Sequence, residues 1–249
     1  MTPALAIFLI VVSPAVGSFL AVLADRLPRG EDVILARSAC RECAAPVAPG
    51  DLVPLLSFLR LRGRCRACGA AIPAMLPLME AGAAFAAIAV VMVARSNSEM
   101  VLGCIYMWTL LALLGCDAIW FRLPDILSAV LLLAALALAW TDPPDRIGPA
   151  LLAAAVGSGA FLCIRLLYRR FRGREGMGRG DVKLMAGIGA GTGLALLPWL
   201  LLAAAAGAIG WACLRTLPRR AALAGDTALP FGSFLCAAAA LVWVLARVG

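Results

Sequence analysis

The sequence predicts an all-α polytopic membrane protein of about eight transmembrane helices, with a small cytoplasmic zinc-ribbon-like domain between the first two. Three observations lead there. The composition is 63% hydrophobic and only 14% charged, whereas roughly 25% of residues are charged in a soluble domain. The apolar residues gather in runs of the length needed to cross a bilayer, about 20 residues. One polar stretch, residues 26–75, interrupts these runs and holds four paired cysteines.

Taken in order, the apolar runs cover roughly 4–24, 76–94, 100–117, 124–141, 147–168, 182–197, 198–215 and 229–246. The first opens as "MTPALAIFLIVV", with no basic segment ahead of it and no cleavage-like site behind it. It therefore reads as a retained span and not a removed signal, with Met1 to Gly249 as the mature chain. The sixth and seventh runs join through "GLALLPWLLLAAAAG", where Pro198 and small residues mark the predicted turn. Fusing them would leave seven spans and carry the C-terminus to the other side. With the N-terminus outside, nineteen of the 22 lysines and arginines lie on one side, all but Arg95, Arg146 and Arg247. The positive-inside rule makes that side cytoplasmic. The net charge of +8 then follows from basic loops lying near anionic membrane lipid, and calls for no nucleic-acid partner.

Within the polar stretch, Cys40-Arg-Glu-Cys43 and Cys65-Arg-Ala-Cys68 are separated by 21 residues. Each CxxC pair can reach one metal from a tight turn, and the intervening loop lets the second pair fold back onto the first. Thiolate-only ligation favours structural zinc, and a full set of four leaves no open coordination position. Disulfides are disfavoured on a cytoplasmic loop. A metal would fold a segment too short to build a core of its own. The remaining cysteines, Cys104, Cys116, Cys163, Cys213 and Cys236, lie in apolar runs without pair spacing and read as small buried hydrophobes. Cys116 adjoins an aspartate, but the chain has no histidine to serve a thiol nucleophile as base.

Of fourteen acidic residues, Glu80, Asp117, Asp125 and Asp181 lie at predicted membrane boundaries, where ionisable groups are costly and are usually paired or functional. Asp25, Glu31, Asp32, Glu42, Asp51, Glu99, Asp142, Asp145, Glu175 and Asp226 fall in loops. Asp117 ends the third span and Asp181 opens the sixth, so the topology brings both to the cytoplasmic face although 64 positions separate them. Asp125 opens the fourth span after Pro124, where a carboxylate suits a helix N-terminus. Two close carboxylates do not ionise together, so one keeps a proton. The charged one can take a proton from attacking water while the other polarises the carbonyl and protonates the leaving amine. That is aspartic peptidase chemistry. The stretch "GMGRGD" ending at Asp181 is not a nucleotide loop, since it lacks the Lys-Ser/Thr of a P-loop and follows no strand. Its glycines suit a tight backbone bend beside an extended peptide, with Arg179 facing water or headgroups.

"CDAIWFRLPD", together with "GMGRGDVKLMAGIGAGTG", resembles the prepilin peptidases, membrane aspartic peptidases of the GxGD type. "VGSFLAVLADRLPRG", the cysteine-bearing loop, "LPLME" and "LPFGSFL" fit the same family in the same order. The resemblance implies catalytic roles for Asp117 and Asp181, a supporting one for Asp125, and a peptidase membrane domain over 76–249 after a first helix (1–25) and a four-cysteine zinc-binding domain (26–75). It implies type IV prepilins or pseudopilins as substrates, cut at the end of a basic leader on the cytoplasmic face of the bacterial inner membrane. It also implies N-methylation of the new N-terminus by S-adenosylmethionine. Glu80 fits the family's loop-to-span junction, with helix capping and substrate contact both open. The chain differs from the family pattern at Ala21, where asparagine is common, and in "PAMLP", where a basic and aromatic pair is common; no Rossmann glycine motif is present. From a different class, a transporter or channel would also place carboxylates in a membrane.

Overall fold

The computed structural model describes residues 2–33, 35, 37–141, 146–173, 176–216 and 229–248. Of the charged residues read as loop, Asp142, Asp145, Arg174, Glu175, Arg219, Arg220 and Asp226 lie outside this set. Among the described residues the chain forms nine α-helices: α1 (Pro3–Arg26), α2 (Leu56–Arg60), α3 (Met75–Val93), α4 (Asn97–Trp120), α5 (Asp125–Thr141), α6 (Ile147–Arg172), α7 (Arg179–Thr192), α8 (Leu197–Thr216) and α9 (Phe231–Val248). Every apolar run of the sequence becomes one of the eight longer helices. Six of these, α1, α3, α4, α6, α8 and α9, are long and apolar enough to cross a membrane. The helix α5 is apolar but has 17 residues, and α7 has 14. At 1.5 Å per residue α7 rises about 21 Å, less than a hydrocarbon core of about 30 Å.

The predicted break between the sixth and seventh runs is displaced. The chain turns at Gly193, whose φ of +81° suits glycine, and passes through a 3-10 turn, Leu194–Leu196, into α8. Pro198 is the second residue of α8, a position that loses no helical hydrogen bond to proline.

Large apolar side chains such as Phe8, Phe85, Leu133, Trp199 and Leu241 project outward, the exposure expected of a protein solvated by lipid. The interior is sealed by close helix approach instead. Gly17 of α1 lies against α3 so tightly that a Cβ would stand 2.6 Å from Glu80 Cα, and Gly189 of α7 meets Ala153 O of α6 the same way at 2.5 Å. Small residues let helices meet where water supplies no driving force. The helix α4 is the most enclosed span, packed by α1, α3, α5 and α9. Its start is capped by Ser96, whose Oγ accepts the Glu99 amide at 3.1 Å. Its end is closed by Phe121 at φ +52°, whose amide donates to Asp117 O at 3.0 Å.

Contacts between chain turns show which ends lie together. Thr2 N donates to Asn97 Oδ1 at 3.0 Å at one end, and Arg122 Nη1 donates to Pro28 O at 3.1 Å at the other. The cysteine-bearing loop, Asp117, Asp181 and the start of α9 all fall at the second end.

Candidate active site and metal centre

Asp117 sits in the last turn of α4 and is buried, at 6% exposure. Asp181 is the third residue of α7, half-buried, with Gly178 as the N-cap. Leu123, in the four-residue turn between α4 and α5, wedges between the supports of the two carboxylates. A Cβ on Gly180 would meet Leu123 Cβ at 2.8 Å, and one on Gly232 would meet Leu123 Cδ1 at 3.1 Å and Asp117 Cγ at 3.0 Å. The chain does bend within "GMGRGD", at Met177, but not through left-handed glycines. Gly178 has an ordinary extended φ of −66°, and neither it nor Gly180 adopts positive φ. These glycines are needed for space: a Cβ on Gly178 would stand 3.3 Å from Asp181 Oδ2. Arg179 is exposed, as expected.

Asp117 holds a partner that its sequence neighbourhood does not reveal. Ser233 donates to Asp117 Oδ2 twice, from its amide at 2.6 Å and from its hydroxyl at 2.9 Å. The signal was the lone polar residue in the first turn of the apolar α9, within "LPFGSFL". Asp125 opens α5 as expected and reaches Lys183 Nζ at 2.6 Å. Both are exposed, and such pairs contribute under about 1 kcal/mol.

Glu80 does not cap α3, and it takes a role that the sequence did not raise. It lies in the second turn of α3, almost fully buried, and accepts the Leu55 amide at 2.7 Å. It neither caps α3 nor faces open solvent. Instead it fastens the polar loop to a membrane helix, at a residue held at φ +59°.

The four predicted cysteines converge. Their sulfurs all lie within 4.8 Å of one another and can hold a metal ion. Cys40 Sγ and Cys68 Sγ are 3.8 Å apart, close to the edge of a tetrahedron built on metal–sulfur bonds of about 2.3 Å. The two turns match: Cys40 N donates to Ala45 O at 2.9 Å and Cys65 N to Ala70 O at 2.7 Å, each with a left-handed residue, Ala44 or Gly69, after the second cysteine. Backbone amides of Cys43 and Glu42 hold the Cys40 thiol down at about 6. The Ala70 amide favours the Cys68 thiolate too, but hydrogen bonding with Cys43, desolvation and the other two thiols push it up to about 12. Four thiols this close cannot all shed their protons without a cation among them.

The arginine inside each CxxC turn anchors it. Arg41 Nη2 reaches Asp25 Oδ2 at 2.6 Å, at the end of α1, and Arg66 makes a two-pronged pair with Asp51, Nε to Oδ2 at 2.7 Å. Asp25 and Asp51, expected to be merely solvated, are therefore structural.

The transporter reading finds no support. It calls for acidic groups near the midplane in broken helices, whereas Asp117 and Asp181 occupy the terminal turns of α4 and α7.

Comparison with known proteins agrees. A family model described as Bacterial Peptidase A24 N-terminal domain matches residues 11–94, and one described as Type IV leader peptidase family matches residues 104–213. Among similar proteins, the prepilin leader peptidase/N-methyltransferase of Aeromonas hydrophila is 34% identical over 92% of this chain and 87% of its own length. Proteins of the same name from Burkholderia pseudomallei (strain 1026b) and Klebsiella pneumoniae are each 35% identical. They cover 87% and 79% of this chain, and 69% and 89% of their own lengths. No solved structure matches the chain significantly. The cysteine cluster falls within the first matched segment and both aspartates within the second; the chain is a multi-pass membrane protein and belongs to the type IV leader peptidase family.

Proposed function

We propose that this protein is a membrane aspartic endopeptidase that removes the basic leader of type IV prepilins or pseudopilins, with Asp117 and Asp181 as its catalytic pair. One observation carries the reading: two carboxylates from distant parts of the chain meet at one end of the bundle, around Leu123, in a partly desolvated setting. Two carboxylates serving one site do not ionise together, so in this mechanism one of them carries a proton. The ionised carboxylate takes a proton from water as its oxygen attacks the scissile carbonyl carbon. The protonated one bonds the carbonyl oxygen, then delivers its proton to the departing amine as the C–N bond breaks. The distribution of basic residues supports placing this end at the cytoplasmic face of the bacterial inner membrane. The chain then divides into a first helix (1–25), a four-cysteine module (26–75) and a peptidase membrane domain (76–249).

Cys40, Cys43, Cys65 and Cys68 would hold zinc, whose chemistry there is structural, since four thiolates fill its tetrahedron. The names of the relatives support N-methylation of the new N-terminus, with S-adenosylmethionine as donor. No βαβ unit exists among the described residues to cradle an adenosine in the Rossmann manner, so no residue is assigned to that cofactor.

The test is cleavage of a prepilin-like peptide in detergent, with labelled S-adenosylmethionine present. Asp117→Asn and Asp181→Asn each reduce cutting at least a thousandfold without lowering protein yield, on the order of what loss of a central catalytic group costs. Cutting retained by either variant would sink the mechanism. Methyl incorporation by the active protein tests the second activity separately.

A further inference from the structure

We propose that Ser233 is a positioning residue that holds Asp117 as the charged member of the aspartate pair, leaving the proton on Asp181. The inference rests on the catalytic reading above and assigns the two aspartates their separate roles. A serine hydroxyl has one proton to donate. Here it lies 2.9 Å from Asp117 Oδ2 and 3.1 Å from Leu114 O. When Asp117 is charged, that proton points to Oδ2 beside the Ser233 amide, which stands 2.6 Å from the same oxygen. Two donors then converge on one carboxylate oxygen. A proton on Oδ2 would oppose the amide hydrogen and force the hydroxyl back to Leu114. The ionised form is the one the geometry serves.

The direction of α9 adds to this. Its N-terminus ends on Asp117, and the amides of a helix start carry partial positive charge; the Ser233 amide is shared with Pro230 O at 3.1 Å but stands closer to Asp117 Oδ2. Gly232 makes the approach feasible, since any Cβ there would press on Asp117 Cγ at 3.0 Å. Asp181 also lies in the first turn of a helix, α7, but among the described residues it has no such pair of donors on one oxygen, only a backbone hydrogen bond at Gly178. Asp117 thus becomes the base that takes a proton from water, and Asp181 the acid that bonds the carbonyl oxygen and protonates the leaving amine.

Other groups on the elements around Asp117 do not mimic this effect. Cys116 on its own helix and Cys236 on α9 interact with it, but thiols titrate well above carboxylates. Asp25 and Arg29 at the end of α1 are paired together, Asp125 of α5 is paired with Lys183, and Glu80 of α3 is bonded to the Leu55 amide. Asp181 is the partner whose proton state the inference concerns.

The experiment compares kcat, KM and the pH–rate profile for peptide cleavage by wild type, Ser233→Ala and Ser233→Thr, with Asp117→Asn as control. Removing a donor that favours the charged form makes Asp117 lose its proton at higher pH. Ser233→Ala therefore lowers kcat about tenfold, as loss of one hydrogen bond to a charged group does, with KM unchanged and the acid limb moved to higher pH. Ser233→Thr keeps the hydroxyl and restores both. The position of the limb does not depend on how much enzyme folds, so a poor yield leaves the result readable. A wild-type kcat and acid limb in Ser233→Ala, or Ser233→Thr behaving like Ser233→Ala, overturns the inference while Asp117→Asn stays inactive. Cleavage by Asp117→Asn instead strikes the catalytic reading itself.

Discussion

Gly180 shows how little room the aspartate pair has. Its missing side chain is where Leu123 sits, and an added Cβ would come within 2.8 Å of Leu123 Cβ. A branched side chain fixed by a four-residue turn cannot retreat far, so the start of α7 must shift and take Asp181 with it. Gly180→Ala is expected to cut activity by about a hundredfold, the scale of loss from an ångström of misplacement, with a far smaller effect on thermal stability. Steady-state cleavage beside a melting curve separates the two. A Leu123→Gly change in the same background should recover part of the activity, since it removes the Cβ in conflict.

Among the elements, α3 joins the polar loop to the bundle. Glu80 lies in its second turn and takes the Leu55 amide, at the point where the chain enters α2 with Leu55 at positive φ. Two costs meet there: a buried carboxylate and a strained backbone. Each is tolerated because the hydrogen bond between them satisfies the other. Glu80→Ala leaves the Leu55 amide without a partner, which costs about 1–3 kcal/mol if it stays buried. The expected outcome is a lower melting temperature and faster proteolysis within residues 49–64, with peptide cleavage less affected than by Gly180→Ala. Unchanged proteolysis would show that the loop does not depend on this anchor.

For the whole molecule, the cysteine module and the aspartates occupy the same end but are held by different devices. Arg41–Asp25 and Arg66–Asp51 set the two turns, and the four thiols converge where they can hold a metal ion. The aspartates depend on α4, α7, α9 and the Leu123 turn, none of which includes a cysteine ligand. Cys40→Ser is therefore expected to lower bound zinc, read by atomic emission, and to weaken folding or methylation, while hydrolysis survives in part. Complete loss of hydrolysis at normal yield would tie the metal to the catalytic pair.

Legibility follows the range of the forces involved. The spans were readable because lipid solvation acts on composition alone, and the four cysteines because metal geometry demands paired spacing. Asp117 and Asp181 stood out because a carboxylate at a membrane boundary is expensive. Sequence misplaced the turn before α8 by several residues, since Gly193 and Pro198 both mark breaks and packing chose the first. It read the GxGD glycines as a bend beside an extended peptide and missed the room they leave for Leu123, because space denied by Leu123 is a property of another segment. It gave Asp51 and Glu80 no partners and Ser233 no role, because those partners lie 15 to 116 positions away. The sequence by itself determined the membrane class, the metal-type cysteine set and the candidate pair of acids, all of which rest on local composition and spacing. Only the tertiary structure decided which neighbours each acid meets, because a hydrogen bond between distant helices depends on how they pack.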